Sequence, residues 1–149
     1  MKYDIKNMSA AEIDEFLKTQ RVGMLSLGGD KPYAVPLAYS YAANTIFLTM
    51  RPTGRKMEYI ARNRNACFAV FWMPPDFSMT NMTWKSVICE GVLEHLTDRE
   101  HITAAVRAGE RQLGLPAGTW DTLIEKTMQN PAASGFWKIA IHAVSGRSM

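Results

Sequence analysis

The stretch Thr49-Met50-Arg51-Pro52-Thr53-Gly54-Arg55-Lys56 gathers three cations, two hydroxyls and a glycine where a strand end passes through a turn into a helix start. Cations in a first helical turn oppose the helix macrodipole, which favours anions there by roughly 0.3 to 1 kcal/mol. Arg55 and Lys56 make sense in that place if an anion bridges them. A phosphate would suit: it can accept from backbone N–H groups from Gly54 onward, from the Thr53 or Thr49 hydroxyl, from the Arg55 fork and from the Lys56 ammonium. A solvated basic loop is the alternative account.

Two further patterns bear on a ligand. In Tyr33 to Tyr41 the large residues Tyr33, Val35, Leu37, Tyr39 and Tyr41 alternate with Ala34, Pro36, Ala38 and Ser40, so one face of that strand is nearly flat. Something planar can approach its backbone closely; equally, a helix or a neighbouring subunit can cover it. Pro36 cannot donate to a strand ladder and suits an edge or irregular strand. Trp84-Lys85-Ser86, which begins a strand interrupted at Gly91, sends Trp84 and Ser86 to one face and Lys85 to the other. Trp84 fits a core or subunit interface as well as a stacking surface for a ligand. His95, His101 and His142 are too scattered to form a metal or acid–base set, and no metal site is expected. Cys67 and Cys89 sit in apolar runs without metal-like spacing and read as buried free thiols.

The elements that must position these residues follow from capping and periodicity. Ser9-Ala10-Ala11-Glu12 is a capping box, with Met8 and Ile13 as a hydrophobic staple, opening a helix that carries Ile13, Phe16, Leu17 and Gln20 on one stripe and ends near Arg21-Val22-Gly23. Strands are expected at Val22 to Leu27, Tyr33 to Tyr41 and Thr45 to Met50, and a helix from Thr53 or Gly54 to about Asn63. Ala66 to Trp72 is apolar throughout and reads as a strand covered on both faces, stopped by Pro74-Pro75. Trp84 to Leu96 is a long strand with a bulge or bend at Gly91. Thr97-Asp98-Arg99-Glu100 reads as a second capping box, opening a helical insertion that runs to about Asn130. A last strand, Phe136 to Val144, ends at the turn-like Ser145-Gly146-Arg147. The class is α+β, predominantly β: a six-stranded antiparallel barrel with flanking helices and a helical insertion before the last strand, in one domain spanning 1–149.

Composition narrows the partners. A net charge of +3 with dispersed Lys and Arg gives no nucleic-acid patch, though it suits an anionic small ligand. No run reaches the roughly 18 apolar residues a membrane span needs, and Met1 to Lys6 lacks a leader's apolar run, so a cytoplasmic location is expected.

In order and separation, the segments Met8 to Val22, Gly23-Met24-Leu25-Ser26-Leu27, Tyr33 to Tyr39, Gly54-Arg55-Lys56, Trp84-Lys85-Ser86-Val87 with Gly91, and Ile139 to Gly146 resemble the FMN-binding split barrels related to pyridoxamine 5′-phosphate oxidase, and among them the nitroimidazole-resistance (Nim-type) branch. Only the insertion from Thr97 to Asn130 is unmatched. The resemblance implies a homodimer with FMN at the subunit interface, touched by both chains. It assigns Arg55 and Lys56 to the phosphate, and Thr49 and Met50 to the strand beside the flavin. Ala34, Val35, Pro36 and Leu37 would lie along the ring, and Trp84, Lys85 and Ser86 would reach the cofactor from the partner chain. The Arg-x-His substrate signature of the oxidases proper is missing from Ser145 to Met149, so vitamin B6 oxidation is not expected. The expected function is a flavoprotein oxidoreductase passing hydride or electrons from a reduced nicotinamide to a small acceptor, with no catalytic residue assigned because the cofactor carries the chemistry. A flavin-storage protein without turnover, or a split barrel holding haem or the deazaflavin F420, are the alternatives.

Overall fold

The computed structural model describes residues 3–149; Met1 and Lys2, part of the stretch read for a leader, lie outside the described residues. Order along the chain is β1 (Lys6–Asn7), α1 (Ala10–Thr19), β2 (Val22–Leu27), β3 (Tyr33–Ala42), β4 (Thr45–Thr49), α2 (Arg55–Arg62), β5 (Asn65–Trp72), β6 (Lys85–His95), α3 (Arg99–Gln112), α4 (Asp121–Met128), a 3₁₀ turn (Pro131–Ala133) and β7 (Phe136–Ser148). Antiparallel pairing runs β7-β4-β3-β2-β5-β6, and β6 pairs with β7 to close a six-stranded barrel to which the short β1 adds at β7.

Local chemistry sets the element ends. The Ser9 hydroxyl accepts from Glu12 N–H at 3.2 Å and the Glu12 carboxylate accepts from Ser9 N–H at 3.1 Å, the reciprocal capping box the sequence announces. Ala43 and Asn44, both with positive φ, make the two-residue turn joining β3 to β4. Inside the barrel, Leu25, Phe68, Val70, Val87, Cys89, Leu93, Ile46, Leu48 and Ile139 pack into one core, sealed at one end by Ile13, Phe16 and Leu17 of α1. A second cluster, Leu96, Ile102, Ala105, Val106, Ile124 and Phe136, with Phe47 and Trp120 against it, joins α3 and α4 to the outer side of the sheet.

Besides shifts of a residue or two at several element ends, four features differ from the sequence reading. α1 stops at Thr19, with Gln20 as its C-cap, a little before Arg21. α3 is capped by Asp98 in place of Thr97: the Asp98 carboxylate accepts from His101 N–H at 3.2 Å and meets the His101 ring nitrogen Nδ1 at 2.6 Å, which moves the helix start one residue on. β5 is covered on one face only: Phe68 and Val70 point into the core, while Phe71 is exposed and Cys67 and Ala69 half-covered on the other side. β7 does not end at Val144 but runs to Ser148, because β6 continues to pair with it as far as Lys85↔Ser148. Gly146 permits this. A Cβ there would sit 2.8 Å from Ile13 Cγ1 and 3.0 Å from Met8 Sδ, so its bareness is packing under α1, not a turn.

The β6–β7 register slips between Glu90 and Gly91, the bulge expected at that glycine. A Cβ on Gly91 would overlap the Ala140 carbonyl oxygen and lie 2.6 Å from Ile139 Cγ2. The bend therefore lets two long strands cross closely and close the barrel.

Candidate functional site

α2 starts at Arg55, with Gly54 as N-cap at φ 114°, a backbone open to glycine and strained for other residues. No side chain caps this helix. Among the described residues, Arg51, Arg55 and Lys56 have no carboxylate within ion-pair distance, a property they share with Arg21, Lys31, Arg62, Arg64, Lys85, Arg111, Lys126 and Arg147. The Arg55 guanidinium lies instead over the Tyr33 ring, 5.3 Å from its centroid, and Tyr33 stacks on Tyr59 of α2 at 5.1 Å. This stack fastens the helix start to the first residue of β3. Thr53 is exposed in the turn, Lys56 half-buried beside Arg55. Arg55, Arg62 and Lys31, with Asp30 and Glu58, line a cavity of about 380 Å³ between α2 and the β2–β3 turn.

The small face of β3 is outward and uncovered in the single chain: Ala34, Pro36 and Ala38 are exposed, while Val35 and Leu37 pack against the core. Register extends that face across the sheet. Pro36 pairs with Met24, Met24 with Ala69, Ala69 with Ile88 and Ile88 with Ser145, a row across five strands in which Met24 and Ile88 are exposed apolar side chains. Val22 and Phe71 extend it, each 59% exposed. Tyr39 N–H donates to Arg21 O at 3.0 Å, so by the two-residue period position 36 aims its missing N–H at the other edge, where β4 pairs with Tyr39 to Ala42 only. Pro36 thus occupies a locally open edge, and its lack of a donor leaves no ladder bond unmade.

The structure does not gather all twelve predicted positions. It places Arg55 at the Tyr33 end of the small face, and Thr49 beside Ala38 in one cavity wall. Met50 turns into the core, its backbone N–H donating to Gly135 O at 2.8 Å. Trp84 stacks with Phe71 at 6.4 Å, and Lys85 turns to the α1 side beside Glu12 and Glu15. Ser86 pairs with Phe71 on the outward face, but three strand steps separate β6 from β3, about 14 Å at the usual spacing. One ring lying on Pro36 is out of reach of the same chain's Ser86.

The helical lobe carries features that sequence reading missed. Glu110, in the last turn of α3, is fully buried; its carboxylate accepts from Trp120 N–H at 2.8 Å and Gly118 N–H at 3.1 Å and pairs with Arg107 at 2.8 Å. Burial opposes its charge, yet the two amides and the guanidinium outweigh burial and hold the carboxyl below the usual range. Trp120 is fixed by this contact. The Gln112 amide ties the lobe down by donating to Leu17 O at 2.9 Å and Gln20 O at 2.6 Å and accepting from Tyr41 N–H at 3.2 Å. Nothing in the spacing of Glu110 or Gln112 distinguishes them from surface residues; only the Ala105, Ala108, Gly109 run of small side chains hinted at a close approach.

Comparison with known proteins places this geometry. A family model described as pyridoxamine 5′-phosphate oxidase matches residues 9–148, the helical insertion included. No curated protein matches the chain. Among solved structures it is similar to a FAD-binding protein of Mesorhizobium loti, at 28% identity over 97% of this chain and 98% of that one, with a TM-score of 0.71. In fold it is similar to a Bacteroides thetaiotaomicron protein assigned to 5-nitroimidazole antibiotic resistance (18% identity, 98% and 89% covered, TM-score 0.75). It is likewise similar to the FAD-binding protein of Mycobacterium smegmatis (16% identity, 97% and 98% covered, TM-score 0.69).

Proposed function

The chain belongs to the pyridoxamine 5′-phosphate oxidase family, and from that membership we propose that it is a homodimeric flavoprotein that holds FMN between the small face of β3 and the start of α2. One observation carries the reading: an exposed run of small side chains, Ala34, Pro36 and Ala38, ends beside cations without carboxylate partners, at a helix start that no side chain caps. A flat ring and a phosphate are what those two surfaces accept. Arg55 and Lys56 would hold the phosphate, with the Thr53 hydroxyl and the first amides of α2, and Thr49 would flank the ring beside Ala38. The apolar row through Met24, Ala69 and Ile88 supports a second copy on this face, since contiguous exposed apolar surface commonly marks an interface. A second copy would also bring its own Trp84 and Ser86 within reach of a ring that this chain's pair cannot touch.

When bound, the flavin would supply hydride and single-electron chemistry between a reduced nicotinamide and a small acceptor. The chain's part is to fix the phosphate, keep water off the small face and leave one side open to the reactant. An absorption spectrum of the purified protein, with the mass of the released cofactor, tests the binding; a Soret band near 400 nm without flavin peaks would overturn it. Anaerobic mixing with NADH or NADPH tests turnover, and a flavin that bleaches with neither donor would point to storage.

FAD is the second reading. It is favoured by the Mesorhizobium loti protein, named for FAD, and by the cavity between Gly28–Lys31 and Arg55–Asn63, which adjoins the proposed phosphate position and has room beyond it. The released mass separates the two.

A further inference from the structure

The outward side of β3 and β4 is roofed by the helical lobe, and the space between them is unfilled. Its walls are Phe47, Phe136, Ala105, Val106, Trp120 and Leu123, around a cavity of about 210 Å³ that no charged side chain lines. Ser40, half-buried, and Thr49, exposed at the mouth, are the polar side chains there. Gly109 keeps the roof thin: a Cβ at that position would come within 3.0 Å of Trp120 Cζ3 and 3.3 Å of Ser40 Oγ. Through Ser40, Phe47, Thr49, Gly109 and Trp120 this cavity shares its wall with a second, of about 340 Å³, that opens onto Arg21, Val22 and Ala38. It therefore leads to the end of the small face on which the ring is proposed to lie.

We propose that this cleft is the compartment for the substrate, and that the substrate it takes is a flat, uncharged, largely apolar molecule of one or two aromatic rings, oriented by the Ser40 and Thr49 hydroxyls. Size and chemistry set the class. An apolar cavity of about 150 Å³ is enough to hold benzene, and burial of a charge without a partner is costly. A charged ligand would find no counter-charge in the inner cavity, since Arg21 stands only in the wall of the outer one; a neutral ring with one polar substituent would find apolar walls and two hydroxyls. The rigid wall is Trp120, whose backbone N–H is held by Glu110 and whose loop Glu110 also fixes at Gly118. The assignment as a substrate compartment rests on the flavin reading, because proximity to the small face is what makes an occupant reactive.

Indole and benzoate, a neutral and an anionic probe, test it by calorimetric titration of the intact protein as purified, with flavin content and spectrum measured on the same samples. Indole is expected to bind once per chain, to shift the flavin absorption band, and to bind at least tenfold more tightly than benzoate. Leu123→Lys, at an exposed rim position, should weaken indole at least tenfold with flavin content unchanged, and Gly109→Val should do the same by pushing on Trp120. Absence of indole binding in a flavin-loaded protein, or equal binding in wild type and Leu123→Lys, would overturn the compartment and leave the cofactor reading standing. Indole binding that responds to both variants in a chain that takes no flavin would overturn the substrate role together with the flavin reading.

Discussion

Replacing Arg55 and Lys56 together by alanine separates ligand binding from folding, because the two effects have opposite signs. Each cation is proposed to make one charge-assisted contact to phosphate, worth about 1.5 to 3 kcal/mol. Arg55 is exposed and Lys56 half-buried, so the lower end applies. Two such contacts come to about 3 kcal/mol, a loss of roughly a hundredfold in flavin affinity at about 1.4 kcal/mol per factor of ten. In the flavin-free chain the same change removes two like charges from a helix N-terminus, a relief of roughly 0.3 to 1 kcal/mol each, against the loss of the Arg55–Tyr33 contact, about 0.5 kcal/mol at an exposed site. The flavin-free variant should therefore melt at or slightly above the wild-type temperature, while the variant with added FMN melts below its wild-type counterpart. Fluorescence titration with FMN and thermal melts with and without it read both arms. Wild-type FMN affinity in the double variant would refute the phosphate assignment, and a flavin-free melt several degrees lower would refute the argument that these cations are misplaced without an anion.

Four more outcomes are expected. Gly91→Ala forces a Cβ into the Ala140 carbonyl at the bulge and should cost about 1 to 3 kcal/mol, read as a melting temperature lower by roughly 3 to 9 °C for a chain of this length. Burial raises the Cys89 thiol to about 12 from 9.0, and burial with the Asp14 hydrogen bond raises the Tyr41 hydroxyl to about 12 from 10.0. Both groups prefer the folded state protonated, so their stabilisation is complete below pH 9 and is lost as pH rises from 9 towards 12; denaturant melts at pH 7, 9.5 and 11 check it, and an unchanged midpoint contradicts it. Glu110 has the reverse sign: its lowered carboxyl stabilises the lobe above the ordinary value of 4.5 and gives that up as pH falls through its folded value, to be read in Trp120 fluorescence. Met24→Arg with Ile88→Arg, on the exposed row, should convert a dimer to monomers in sedimentation, and a dimer that persists would move the interface elsewhere.

Much of the barrel was legible because its signals are local. The Ser9–Glu12 box, the strand alternations and the bulge at Gly91 each need only a few neighbouring residues to be read. Thr97 misled by one position because Thr-x-x-Glu and Asp-x-x-His both fit a helix start, and the His101 ring decided between them. Cys67, Ala69 and Phe71 misled because apolar side chains record that something covers a face without saying whether it is the same chain. Gly146 looked like a turn when its missing side chain serves α1 from across the barrel. At the proposed site, the position of Arg55 and Lys56 at a helix start and the outward small face of β3 were readable from type and spacing. Glu110 and Gln112 were not, since their partners lie in a loop and on two other elements that only the folded chain brings near.

The closing contact of the barrel joins His95 to Trp137, the residues on either side of the helical lobe. To the barrel, that whole lobe is one loop, and the entropy of closing a loop rises only by about 0.6 kcal/mol for each doubling of its length. Residues there can be lengthened, shortened or reshaped at little cost to the strands, provided the Gln112 tie and the Phe47 contact are kept. The roof over the cleft is therefore the part of this molecule freest to vary, while β3, where the flavin ring is proposed to lie, is bound into the register of the sheet and the start of α2 is stacked on its first residue. If the cleft is the substrate compartment proposed above, a change of reactant would need changes in the lobe alone.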